Sequence, residues 1–182
     1  TTMNYLTLLN LGTSLAAGTF TAQRRGQTAY PLGWFLRWTL FLQLALSLAG
    51  AAGLYLGRER VAEFFCRTSP AVLALAPYIF VCVAATIPAY FLLQLGWNIL
   101  FGLQRFAAQS ALAILQSSIV AVCAVAMIYL GFGSLKNIGL AFVVCHFLLA
   151  AAAIGATWSH FFRPGRPNPQ EVKDYVQYSW RG

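Results

Sequence analysis

Long apolar runs, separated by short clusters of charge, glycine and proline, divide this chain into bilayer-length pieces. A hydrocarbon core of about 30 Å needs roughly 20 residues of α-helix to cross it. Five stretches meet that length: about residues 3–20, 34–56, 75–100, 111–130 and 138–161. The pattern predicts an all-α polytopic bundle, with residues 1–162 forming the membrane part. Residues 163–182 form a loop and the start of a further helix. Between the spans lie Gln23-Arg24-Arg25-Gly26-Gln27, a mixed-charge segment from Arg58 to Arg67, the turn Phe101 to Phe106 and a Gly-rich turn at 131–134.

Details within the runs refine the expectation. The first is uncharged but dotted with Thr, Ser and Gly, which suits a helix inside the bundle. The Arg58 to Arg67 segment is expected to be a short interfacial helix. The stretch from Pro70 to Gln104 is too long for one straight span and holds Pro77 and Pro88. An approach turn followed by a helix kinked near Pro88 is the expected result, because proline removes a backbone hydrogen bond and clashes with the preceding turn. Gly53 and Gly57 have the GxxxG spacing that lets helices approach closely. Arg37, in the first turn of its span, is placed to snorkel toward lipid headgroups. The segment Arg163 to Pro169 cannot be helical, and residues 171–178 are amphipathic.

Composition then removes the soluble alternative. Hydrophobic residues make up 59% of the chain and charged residues 9%, against roughly 25% charge in soluble domains. The net charge of +8 does not point to nucleic acid, since the basic residues stand singly or in pairs between apolar runs. They read as loop charges that set orientation. Five alternating spans gather Arg24, Arg25, Arg37, Arg105, Arg163, Arg166, Lys173 and Arg181 at one side. Arg58, Arg60, Arg67 and Lys136 fall at the other. The richer side is expected to face the cytoplasm.

Candidate chemistry is sparse. Cys66, Cys82, Cys123 and Cys145 form no CxxC pair, and His146 and His160 have no carboxylate near them in sequence. Neither metal binding nor redox chemistry is expected from such spacing. The four acids, Glu59, Glu63, Glu171 and Asp174, all fall outside the expected spans. No acid/base pair and no catalytic triad is legible, so no enzyme activity, cofactor or metal is expected. Uncharged polar residues within spans remain: Asn4, Asn10, Thr13, Ser14, Gln43, Gln94, Asn98, Gln116, Ser117 and Ser118. They can tie helices together or line a cavity for a hydroxyl-rich substrate.

Residues 92–128 resemble two successive helices of the Wzx-like polysaccharide flippases, a branch of the multidrug/oligosaccharidyl-lipid/polysaccharide exporter superfamily. Asn98-Ile99-Leu100-Phe101-Gly102-Leu103-Gln104-Arg105-Phe106 carries the resemblance, as a tight turn after a proline-containing helix. Tyr129-Leu130-Gly131-Phe132-Gly133-Ser134 is similar to that family's outer turn. Leu11 to Leu15, Arg24-Arg25-Gly26-Gln27 and Val172 to Trp180 resemble its second helix, its basic loop and the entry to its seventh helix. On this mapping the chain is a piece of a longer protein, covering about helices two to six.

The resemblance implies a transporter, in a bacterial inner membrane, that flips an undecaprenyl-diphosphate-linked oligosaccharide by alternating access. It implies membrane lipid as surroundings, with a polysaccharide polymerase and glycosyltransferases as partners. It also implies substrate-facing roles for Arg24, Arg25 and Arg105 at the mouth, where Gly102 would permit the reversal and Phe106 would pack into the bundle. Gln94 and Asn98 would serve as polar groups of the cavity. The alternatives are a multidrug exporter of the same superfamily and a membrane scaffold subunit.

Overall fold

A computed structural model describes residues 13–23, 32–65, 70–162 and 167–181. It is an all-α bundle of α1 (Thr13–Gln23), α2 (Leu32–Phe65), α3 (Pro70–Gly102), α4 (Phe106–Tyr129), α5 (Leu135–Phe161) and α6 (Pro169–Arg181). Four helices, α2 to α5, are long and apolar enough to cross a membrane. The protein is therefore a membrane protein. The other expected span, 3–20, lies partly outside the described residues and continues into α1.

Two expected breaks are absent. The mixed-charge residues Arg58, Glu59, Arg60 and Glu63 are not on a separate interfacial helix but on the last turns of α2. At 34 residues, α2 is about 51 Å long, so one end must project beyond the hydrocarbon. Those four residues are where it can do so, since charge favours water. No approach turn precedes Pro77 either. Helix α3 starts at Pro70 and runs through Pro77 and Pro88. Proline at a first helical position is stable because its missing N–H would have had no intrahelical partner.

Helix α3 is the hub, with α1, α2, α4 and α5 all packed on it. Helix α3 is far more buried than α2 or α4, whose faces are mostly open. Glycines set two of these crossings. A Cβ at Gly96 would fall 2.7 Å from Ala153 Cβ on α5. A Cβ at Gly102 would strike the Gly18 carbonyl oxygen on α1 and lie 2.8 Å from Thr21 Cβ. Without a hydrophobic drive between helices in lipid, such backbone approach supplies the packing. Gly139 packs on Cys82 as Gly96 packs on Ala153, so α5 runs parallel to α3. By contrast, among the described residues Gly53 meets nothing within 4 Å and Gly57 meets only Val61 of its own helix. Among the described residues the GxxxG spacing makes no helix contact.

Helix ends are closed by local chemistry. At the end of α3, Arg105 N donates to Leu100 O and Gln104 N to Phe101 O, both at 2.9 Å. This is a Schellman cap, and the left-handed residue is Gln104, with φ 57°. Gly102 is helical, so its small size serves the α1 crossing and not the turn. Phe106 stays 52% exposed and meets Phe101 edge-on, which corrects its expected burial. The same cap closes α4, with Gly131 at φ 80°. Helix α6 starts with a capping box: Gln170 N donates to Asn168 Oδ1, and Asn168 N donates to Glu171 Oε2. Pro169 stands between them, at the position where proline is preorganised for a helix.

The outward faces of α2 and α4 carry Phe41, Leu48, Leu56, Ile114, Val122 and Val125, each more than half exposed. Lipid is the solvent for these faces. Across the α4–α5 contact, Cys145 and Cys123 have their sulfurs 3.4 Å apart. Sequence spacing gave no hint of this pair, because it is made by packing. Mild oxidation of the full chain should join Cys123 to Cys145 while leaving Cys82 free. Peptide mass mapping reads the result, and a Cys82 crosslink in its place would contradict the α4–α5 packing.

Candidate functional site: a polar band on the central helix

Most polar groups buried in the bundle are already satisfied. Thr21, Thr39 and Thr157 donate to carbonyls four residues back in their own helices, at 2.7, 2.9 and 3.1 Å. Ser47 donates to Leu44 O at 3.0 Å. Gln43, fully buried, donates to Thr13 Oγ1 on α1 at 2.9 Å. These groups hold helices in register and have little left for a ligand. Ser117 on α4 is exposed and bonds its own helix, and Ser118 is exposed beside it. Asn4 and Asn10 lie outside the described residues.

One turn of α3 is different. Gln94 and Asn98 are half-buried, four residues apart and so on one face. Neither side chain hydrogen-bonds another described residue. Between them Trp97 has its Nε1 buried without a hydrogen-bond partner. In a membrane an unmade hydrogen bond is not compensated by bulk water, and each costs on the order of 1–3 kcal/mol. Within this one helical turn, therefore, three polar side chains bond no described residue, and that of Trp97 is buried. Asn98 borders the α1 crossing, its Cβ 3.3 Å from where a Gly18 Cβ would stand. Trp97 was not legible as part of this band, because a tryptophan in an apolar run reads as packing.

The basic end of the bundle is a second group. Arg24 and Arg25 lie outside the described residues. Arg105, exposed, directs Nη1 at the Ala156 carbonyl of α5, 3.5 Å away. It follows the C-terminus of α3, where a cation is stabilised by the helix dipole. Arg105 therefore links the end of α3 to α5, and among the described residues it makes no contact with Gln94 or Asn98. Arg37 Nη1 donates to Phe161 O at the end of α5, 2.8 Å away.

Helix α6 docks at this end. Tyr175, 4% exposed, is edge-on to Phe20 at 5.1 Å and tilted against Phe35 at 4.9 Å between ring centroids. Its hydroxyl hydrogen-bonds Thr39. The amphipathic tail read from the sequence is therefore an integral cover over α1 and α2.

No group of three or more His, Cys, Asp or Glu side chains that could hold a metal occurs among the described residues. No family model matches the chain, and neither a curated protein nor a solved structure matches it.

Proposed function

We propose that this chain is part of a transporter that moves a lipid-linked oligosaccharide, carried on undecaprenyl diphosphate, across the bacterial inner membrane by alternating access. The observation that carries the reading is the band of Gln94, Trp97 and Asn98, whose hydrogen-bonding groups are unspent within a membrane helix. Amide and indole groups suit sugar hydroxyls, because they donate and accept without imposing charge. A multidrug exporter coupled to cations would call for a membrane-embedded acid. The acids of this chain lie on the last turns of α2 and on α6. On this reading Arg24, Arg25 and Arg105 would meet the diphosphate at the mouth. A polysaccharide polymerase and glycosyltransferases are the partners such a step would serve.

The test is to replace Gln94 and Asn98 by leucine in a strain lacking its own flippase. Losing hydrogen bonds worth about 1 kcal/mol each should lower transport roughly thirtyfold for the pair, at normal protein level. Trp97→Phe, which removes only the N–H, should lower it less. Unchanged polysaccharide export from both variants would reject the transport reading and leave a scaffold role.

A further inference from the structure

We propose that the Arg37 guanidinium, fixed where α2 meets the end of α5, binds the phosphate of an anionic glycerophospholipid. Arg37 lies within the apolar helix α2 yet its side chain is exposed. One N–H is committed to the Phe161 carbonyl at 2.8 Å, and that bond orients the group. Its other N–H groups meet no described residue. The only ion pair among the described residues is Arg58 with Glu59, at the far end of α2. No carboxylate stands on the first turns of α2 or the last turns of α5, so Arg37 is a membrane-level cation without a counter-ion from these segments. A charge near hydrocarbon is costly unless paired, and phosphate is the anion that a planar guanidinium fork fits best.

The surroundings favour a lipid headgroup over a free anion. On α2, Trp34 stacks on Trp38 at 6.2 Å and Trp38 on Phe41 at 5.9 Å. On α5, Trp158 meets Phe162 edge-on at 5.0 Å, next to the carbonyl that Arg37 holds. Trp38, Phe41, Trp158 and Phe162 are 49 to 64% exposed. Tryptophans of this kind occupy the headgroup level, with ring bodies against acyl chains. A cation between two such aromatic strips can hold a phosphate while the strips contact the glycerol and upper chains. A soluble anion would gain only the guanidinium. Basic clefts between membrane helices bind anionic lipids in this way.

The full chain reconstituted in phosphatidylcholine vesicles, doped with brominated phosphatidylglycerol or brominated phosphatidylcholine, tests the assignment through tryptophan quenching. Wild type should retain phosphatidylglycerol over phosphatidylcholine. Arg37→Gln should lower that preference about fivefold to tenfold, and Arg37→Lys by less. Arg58→Gln, at the opposite end, should leave it unchanged. Inorganic phosphate should fail to displace the lipid. Equal quenching by the two lipids in wild type would overturn the proposal without any variant. Displacement by inorganic phosphate, or selective displacement by a polyprenyl diphosphate, would overturn the glycerophospholipid assignment. Circular dichroism on Arg37→Gln separates lost binding from a loosened α5. Retained preference in a folded Arg37→Gln chain would also reject it.

Discussion

Gly102→Leu should separate α1 from α3 and destabilise the bundle by about 3 kcal/mol or more. A Cβ alone at this position would strike the Gly18 carbonyl oxygen, with Thr21 Cβ at 2.8 Å and Ala22 N at 3.2 Å. Two of these atoms are backbone, so no side-chain rotation relieves the clash. Leucine gains nearly 1 kcal/mol of helix propensity over glycine, which offsets only part of the cost. The control is Gly53→Leu, where no described residue lies within 4 Å. That variant should be neutral or slightly stabilised. Unfolding in mixed detergent micelles measures both, and equal stability of the two variants would refute the Gly18–Gly102 crossing.

Tyr175→Ala should release α6 from the bundle. The side chain is buried between Phe20 and Phe35, and aromatic truncations at such sites cost about 3–5 kcal/mol. Because α6 is a short helix at the bundle's edge, the loss should appear as local detachment and not as global unfolding. Trypsin should then cut at Lys173 much faster than in wild type. Tyr175→Phe keeps the ring and loses only the Thr39 hydrogen bond, for about 1 kcal/mol, and its cleavage rate should rise slightly. Wild-type protease resistance in Tyr175→Ala would show that α6 is held by other contacts.

These two effects come from contacts between residues far apart in the chain, and that separation marks the limit of what the sequence could tell. That residues 34–56, 75–100, 111–130 and 138–161 would lie in four helices long and apolar enough to cross a membrane was legible, because bilayer thickness fixes a run length and each run stands alone. The all-α class followed from the same rule, since an isolated apolar segment in lipid must satisfy its backbone internally. The start of α6 was nearly legible, as its capping residues Asn168, Pro169 and Glu171 are neighbours in sequence.

Where a property depended on which face met which neighbour, the sequence was silent or misleading. GxxxG spacing pointed to Gly53 and Gly57, yet the close approaches among the described residues use Gly18, Gly96, Gly102 and Gly139, because these lie where other helices cross α3. The turn chemistry was assigned to Gly102, but the Schellman geometry put the left-handed residue at Gln104. Arg58 to Glu63 carried enough charge to suggest a separate helix, and α2 simply continued, since hydrogen bonding along a helix does not stop where the membrane does. Gln94 and Asn98 could be named from polarity in an apolar run. That their hydrogen bonds are unspent, with Trp97 Nε1 between them, was decided by what the other helices failed to bring near. A sequence fixes the polar groups it carries, and only packing fixes which of them are left unsatisfied.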